Sequence, residues 1–221
     1  MASYARTQLL RGANAVTRGG ARGAGWYYRS LAKMNSPEAA PVAYDFAVPT
    51  PAQPRPRAFL DVSIGGAQPA RMVVELARDV VPRTVENFTR LCGEGVPALG
   101  SYKDSSIHNV TKGVYVVGGD FVRGNGTGGH AALEPGQRYF DDENFALQFT
   151  EEGVVGMANA GSNKNGSQFF IALKALPHLN GRNVAFGKVV EGKNVLKSIE
   201  SVYSVKGKPL TPVKIIGCGL L

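Results

Sequence analysis

Turn-forming residues divide most of this chain into short segments, and that spacing restricts the folds that the sequence can adopt. The 221 residues include 28 glycines and 13 prolines, which interrupt helices and favour turns. Apolar residues make up 43% of the chain, which is enough to form the core of one ordinary domain. Short apolar segments between turns are typical of β-rich domains rather than helical bundles. We therefore expect a mainly β fold.

Apolar periodicity predicts the individual strands and helices. Pro82 suits the first turn of a helix, and on that helix Val85, Phe88 and Leu91 share one face, which we expect to fill the centre of a barrel. A second helix is predicted at 194–199. Strands are predicted at 58–64, 71–76, 105–110, 114–118, 153–157, 169–172, 184–190 and 213–216. Many short strands with two helices indicate a closed antiparallel barrel, which removes exposed sheet edges.

Positive charge is concentrated at the N-terminal end. The chain carries a net charge of +8, and residues 1–57 hold eight Lys or Arg but only two Asp or Glu. Within residues 1–34, which contain no acidic residue, Arg11, Arg18 and Arg22 fall on one face of a helical wheel. This pattern is typical of a mitochondrial targeting segment. A basic tail without structure is the alternative, and either form could contact RNA or anionic lipid. The rest of the chain shows no basic stripe for nucleic acid.

A proline-rich linker separates this basic segment from the predicted domain. Residues 35–57 contain six prolines, which predict an extended, semi-rigid spacer, so the domain is expected at 58–221. Ordering an arm of this length costs about 1–2 kcal/mol per residue. We therefore expect the 1–57 arm to be held by other protein subunits of a larger assembly, with the aromatic cluster Trp26–Tyr28 as an anchor.

A series of motifs in the second part of the chain resembles the cyclophilin family. The longest is Asn165-Gly-Ser-Gln-Phe-Phe170. The others are Pro82-Arg-Thr-Val-Glu-Asn-Phe88, Gly118-Gly-Asp-Phe121, Gly124-Asn-Gly-Thr-Gly-Gly129, Asp142-Glu-Asn-Phe145, Met157-Ala-Asn-Ala-Gly161, Phe186-Gly-Lys-Val189 and Cys218-Gly219. The resemblance covers about 58–221. It implies a closed eight-stranded antiparallel barrel capped by two helices, and an activity without a cofactor, cis–trans isomerisation of the peptide bond before proline.

The position of the family's catalytic arginine holds a different residue. Rotation about an Xaa–Pro bond has a barrier of about 18–20 kcal/mol, and the resemblance implies that an arginine after Phe-His donates a hydrogen bond to the proline nitrogen in the twisted state. Here the segment reads Ile107-His108-Asn109. Asparagine is shorter and neutral, and it lacks the five donors of a guanidinium. We therefore expect Asn109 to mark a degenerate catalytic position.

The proline-binding pocket also departs from the family pattern. Val114 stands where phenylalanine is expected, Tyr115 where methionine is expected, and Val117 where glutamine is expected. His178 replaces a large group such as tryptophan, and Asn183 replaces histidine. The candidate pocket residues that match the family, or flank the degenerate position, are His108, Ala158, Asn159, Gln168, Phe170 and Leu179. These changes predict weakened binding of a proline-containing segment.

Other signals favour structural roles. Cys92 and Cys218 lie far apart in the sequence and predict free thiols rather than a disulfide framework. The loop Gly124–Gly129 lacks the following Lys-Ser or Lys-Thr of a phosphate-binding loop, so it predicts a turn. Asp141–Glu143 predicts a solvated loop. The three histidines are not at metal-ligand spacing, so no metal is expected, and no apolar run is long enough for a membrane span.

These features favour a catalytically degenerate, cyclophilin-like accessory subunit of a mitochondrial assembly. The domain after residue 57 carries a net charge of only +2, which favours a respiratory-chain complex over a mitochondrial ribosome. One alternative is an active mitochondrial prolyl isomerase that assists folding. The matching residues Asn159, Gln168 and Phe170 favour this alternative. Another is a module that binds proline-containing segments without turnover, at Phe170 and Leu179.

Overall fold

The computed structural model describes residues 54–221. The targeting-like segment 1–34 and the linker before Pro54 lie outside the described residues. Within residues 54–221, none of the helices has the length and apolar character that a membrane span requires.

Ten strands and two α-helices make up this part of the chain. The helices are α1 Pro82–Cys92 and α2 Lys193–Ser201, with a short 3₁₀ helix at Pro177–Leu179. The strands are β1 Arg57–Ile64, β2 Ala70–Leu76, β3 Asn109–Thr111, β4 Tyr115–Gly118, β5 Val154–Asn159, β6 Asn165–Ala172, β7 Ala185–Glu191, β8 Ser204–Val205, β9 Lys208–Pro209 and β10 Val213–Leu220.

Eight strands form one antiparallel sheet in the order β10-β1-β2-β7-β5-β6-β4-β3. The sheet curls so that its two edges meet at the segment before β3. There the amide of Ile107 donates to the carbonyl of Val213 at 2.9 Å, and the amide of Ile215 donates to the carbonyl of Ser105 at 2.9 Å. These bonds satisfy backbone groups that an open edge would leave to solvent. The prediction of an eight-stranded antiparallel sheet with two helices is confirmed.

The interior of the curled sheet is filled by α1, as the sequence predicted. Val85, Phe88 and Leu91 are all buried on one face of the helix. The ring of Phe88 lies 5.1 Å from that of Tyr102, 5.5 Å from that of Phe169 and 5.1 Å from that of Phe186, between centroids. Tilted and edge-to-face contacts of this kind add to the stabilisation that burial itself provides. Phe88 is therefore the centre of the core.

The loop expected to be solvated supports α1 instead. Val81 caps the helix without a side-chain hydrogen bond, and the Glu143 carboxylate accepts from the amides of Arg83 at 3.0 Å and Thr84 at 2.8 Å. Asp142 is buried and accepts from the side chain of Asn165 at 2.8 Å. A carboxylate at a helix N-terminus satisfies free donors and offsets the helix dipole. The solvated-loop prediction is wrong for these two acids.

Strands β8 and β9 form a hairpin that the sequence did not predict. Each has only two residues, too few to show alternation. The turn between them places Lys206 at φ 50° and Gly207 at φ 80°, and two consecutive positive φ angles are the mark of a tight two-residue hairpin turn. Ser204 in this hairpin donates to the carbonyl of Val110 at 2.8 Å, so the hairpin lies beside β3.

Candidate functional site

The glycine-rich loop after β4 is held by one carboxylate. Asp120 is 1% exposed, and its oxygens accept from the amides of Arg123 at 2.9 Å, Asn125 at 3.2 Å, Gly126 at 2.8 Å and Gly128 at 3.0 Å. Burial acts to raise the pKa of the Asp120 carboxyl, but these four N–H groups outweigh it and lower the pKa to about 2. Because the amides point at Asp120, the loop is a structural turn rather than a phosphate cradle.

Replacing Asp120 with asparagine is expected to destabilise the domain by about 1–3 kcal/mol at neutral pH, since a charged acceptor of several hydrogen bonds is lost. The folded-state pKa of about 2 lies below the usual aspartate value of 3.8. The stabilisation is therefore complete above about pH 4 and disappears as the pH falls towards 2. Urea unfolding of the unaltered chain and of the Asp120→Asn variant, at pH 7 and at pH 2.5, measures this loss of stability. The exposed Asp141→Asn variant is the control, and an equal loss in both variants would contradict this role.

Gln168 links β6 to this loop and borders a cavity. Its Nε2 donates to the carbonyls of Gly126 and Gly128, each at 2.9 Å. The cavity has a volume of about 290 Å³ and is lined in part by three predicted site residues, Ala158, Asn159 and Gln168. The lining also includes the basic residues Arg138 and Lys164. These three predicted residues are thus brought together at one concave surface.

Asn109, which the sequence predicts to be a degenerate catalytic position, lies on β3 beside the β8–β9 hairpin. Asn109 pairs with Val117 of β4, and Val117 pairs with Phe170 of β6. Directly paired residues of antiparallel strands present their side chains on the same face, so these three predicted residues are neighbours. The Oδ1 of Asn109 accepts from the hydroxyl of Thr111 at 2.9 Å. A Cβ added to Gly207 would lie 2.5 Å from Asn109 Nδ2, so the amide packs against the hairpin turn.

Phe170, the expected floor of a proline pocket, is covered by its neighbours. It is 4% exposed. The ring of Tyr115 lies 5.9 Å from its ring and that of Phe149 lies 5.0 Å away, between centroids. Val114 and Val117 are partly buried and pack against the same core. Little apolar surface of Phe170 is left to contact a proline ring.

His108 lies between the Gly-rich loop and β3. It is half-buried, and a Cβ added to Gly126 would lie 3.1 Å from its Nε2. Burial lowers the pKa of the His108 ring, and the charge of Asp120 opposes this in part. The ring is therefore neutral at neutral pH, and it does not supply the positive charge that Asn109 lacks.

The remaining predicted residues lie on and after the 3₁₀ helix. His178 is exposed and Leu179 is partly buried against the core. Leu176, just before this helix, donates its amide to the carbonyl of Phe149 at 2.8 Å, which places the helix close to the Phe149–Phe170 pair. Asn183 donates its side chain to the carbonyl of Met157 at 2.9 Å, so it anchors the loop to β5.

Two charged features of this surface were not found from the sequence. Arg138 donates to the carbonyls of Gly129 at 3.3 Å and Thr127 at 3.0 Å, and its guanidinium lies 5.0 Å from the centre of the Tyr139 ring. Lys164 lines the same cavity. Both residues sit in irregular loops, where no periodicity assigns a facing direction. Within the described residues, no three His, Cys, Asp or Glu side chains lie close enough to hold a metal ion.

The curled eight-stranded sheet, its aromatic helix plug and the aspartate-held loop beside Gln168 together define a cyclophilin-type barrel. A family model described as cyclophilin type peptidyl-prolyl cis-trans isomerase/CLD matches residues 59–220. The chain therefore belongs to the cyclophilin family.

The residues that carry the family motifs are largely framework residues here. Asn87 is fully buried, donates to the carbonyl of Gly166 at 2.9 Å and accepts from the amide of Ala132 at 2.7 Å. Ser167 donates to the carbonyl of Gly119 at 2.6 Å. A buried polar group must be hydrogen-bonded to be tolerated, so these side chains hold the barrel together. The motifs identify the fold without reporting on the chemistry of the groove.

Proposed function

We propose that this chain is a catalytically degenerate cyclophilin-type domain that serves as an accessory subunit of a larger mitochondrial assembly. The observation that carries the proposal is Asn109, a short neutral amide packed against the β8–β9 hairpin at the position where the family resemblance implies an arginine.

The energetic argument rests on the transition state. In the twisted Xaa–Pro bond the proline nitrogen becomes a hydrogen-bond acceptor, and a fixed donor lowers the barrier there. Loss of one such donor lowers a catalysed rate by about 10²–10³-fold. Asn109 is too short to replace a guanidinium, and Phe170, at 4% exposure, offers little surface to hold the substrate. Both effects act in the same direction, against efficient isomerisation.

The assignment to an assembly rests on the charge of the N-terminal segment, on the proline content of the linker and on the low net charge of the domain. The acid-free, Arg-rich segment 1–34 favours mitochondrial import, and the proline-rich linker 35–57 favours an extended arm that other subunits hold. After residue 57 the net charge is only +2, which suits a protein neighbour better than a nucleic acid. We therefore favour a respiratory-chain complex over a mitochondrial ribosome.

The tagged full chain, expressed in the cells it comes from, tests this assignment. Native electrophoresis of isolated mitochondria is expected to show the chain within a large complex that respiratory subunits share. A variant with Arg11, Arg18 and Arg22 changed to Gln tests import separately, and its tag should stay outside mitochondria. Recovery of the unaltered chain only as a free monomer would contradict the accessory role.

A second candidate function is the binding of a proline-containing segment without turnover. The cavity of about 290 Å³ beside Ala158, Asn159 and Gln168 favours it, because concave surfaces with a few polar groups are where ligands bind. In this case a peptide Ala-Gly-Pro-Phe binds in calorimetry, and Gln168→Ala weakens the binding at least about tenfold. Tyr203→Ala, a change at an exposed residue just before β8, should have no effect. Equal binding by both variants would exclude this groove.

A further inference from the structure

The two cysteines, 126 residues apart in sequence, meet in the fold. Cys92 is the last residue of α1 and is buried, while Cys218 lies on β10 and is half-buried. The Sγ of Cys218 donates to the backbone carbonyl of Cys92 at 3.3 Å. Both thiols are free. The fold thus places a helix end and a closing strand so that their thiols are neighbours.

The two thiols differ in reactivity. The hydrogen bond from the partner thiol raises the pKa of Cys92, and burial raises it further. The same contact lowers the pKa of Cys218, and the positive charge of Lys103 adds to this effect against the opposing effect of burial. A thiolate is the nucleophilic form of cysteine. Cys218 is therefore the thiol that an oxidant in solution reaches first, and Cys92 is held behind it.

We propose that Cys92 and Cys218 are a reversible thiol–disulfide pair, oxidised by hydroperoxides, that joins the C-terminal end of α1 to β10. The geometric basis is the direct contact of the Cys218 thiol with Cys92, together with access from solvent on the Cys218 side. Neither cysteine lines the cavity beside Gln168, and the proposal does not depend on the function assigned to the groove.

The reaction proceeds in two steps that balance. The Cys218 thiolate attacks one oxygen of the hydroperoxide, the O–O bond breaks, and Cys218 becomes a sulfenic acid while the other oxygen leaves as water or an alcohol. The Cys92 sulfur then attacks the Cys218 sulfur, the S–O bond breaks, and water leaves with the Cys92 proton. One peroxide is reduced and two thiols lose two electrons to form one disulfide. A dithiol reductant reduces the disulfide back to two thiols by thiol–disulfide exchange.

The cross-link acts on the core rather than on the groove. Leu91, next to Cys92, accepts the amide of Tyr102 at 3.0 Å, and the Tyr102 hydroxyl donates to the carbonyl of Ser167 at 2.7 Å. A bond between residues so far apart in sequence restricts the unfolded chain strongly. The oxidised protein should therefore unfold at a higher temperature than the reduced protein, with its secondary structure unchanged.

The experiment uses the reduced full chain and an equimolar amount of hydrogen peroxide at pH 7.5. Intact-mass measurement is expected to show a loss of about 2 Da and no remaining titratable thiol. Peptide mapping without reductant should then find Cys92 joined to Cys218 in the same chain, and dithiothreitol should restore both thiols and the original melting temperature.

Two matched variants assign the roles. Cys92→Ser should stop at a Cys218 sulfenic acid that dimedone labels, and Cys218→Ser should be labelled at least about fivefold less under the same conditions. Oxidation of the unaltered chain to sulfinic acid, or disulfide-linked dimers in place of the internal bond, would overturn the proposal. Because the peptide map uses the unaltered chain, the proposal stays testable even if a variant fails to fold.

Discussion

Restoring four of the six altered groove residues together is expected to raise prolyl isomerisation by about 100-fold or more. The combined variant carries Asn109→Arg, Val114→Phe, Tyr115→Met and Val117→Gln. The arginine supplies the donor to the proline nitrogen. Removing the Tyr115 ring, which lies 5.9 Å from Phe170, opens the pocket floor. The measurement is kcat/KM for a short Xaa–Pro peptide, for the full chain with and without the four changes.

The single Asn109→Arg variant is the informative control for this repair. We expect it to gain less than about tenfold, because Phe170 remains covered and the substrate is still poorly held. If the single change restored the whole gain, the pocket would be competent and the donor alone would be missing. If the combined variant folded, as judged by circular dichroism, but stayed inactive, the groove would lack a feature that these four positions do not supply.

Removing the central ring of the core is expected to be the most destabilising single change in the domain. Phe88 is fully buried between the rings of Tyr102, Phe169 and Phe186. Phe88→Ala is therefore expected to lower the free energy of unfolding by about 3–5 kcal/mol, measured by guanidinium denaturation. Phe88→Leu keeps part of the volume and should lose less, so it remains measurable if the alanine variant does not fold.

Val205→Ala is the control for this prediction, because Val205 is 49% exposed on the β8–β9 hairpin. Exposed substitutions of this kind usually change stability by less than about 0.5 kcal/mol. A loss below about 1 kcal/mol in Phe88→Ala would mean that the helix is not the centre of the core, and that the aromatic contacts contribute little.

Most of the barrel strands were predictable, because the position of each strand depends on a local pattern. The structure retains the alternation in β1 and β2, and it retains the shared face of Val85, Phe88 and Leu91. Both patterns are predictable because burial of apolar side chains requires them. The start of β6 was missed by several residues. Asn165 and Ser167 are polar and read as loop, yet both are buried and hydrogen-bonded, which only tertiary structure reveals.

The site was predictable in its composition but not in its contacts. Position 109 follows from the family motifs, whereas its pairing with Val117, and that of Val117 with Phe170, comes from the strand register of the structure. That Tyr115 covers Phe170, and that Asn109 packs against Gly207, depends on contacts between residues far apart in sequence. The meeting of Cys92 with Cys218 is of the same kind, because a helix end and a closing strand share no local signal.

The most direct test of the proposed loss of catalysis is the isomerisation rate of an Xaa–Pro peptide in the presence of the unaltered full chain at high concentration. Exchange between the cis and trans peptide resonances in NMR measures this rate without a coupling protease. With Asn109 in the donor position, we expect the rate to stay close to the uncatalysed value. A rate that rises in proportion to the chain concentration, and that Gln168→Ala abolishes, would contradict the account and make this chain an active isomerase.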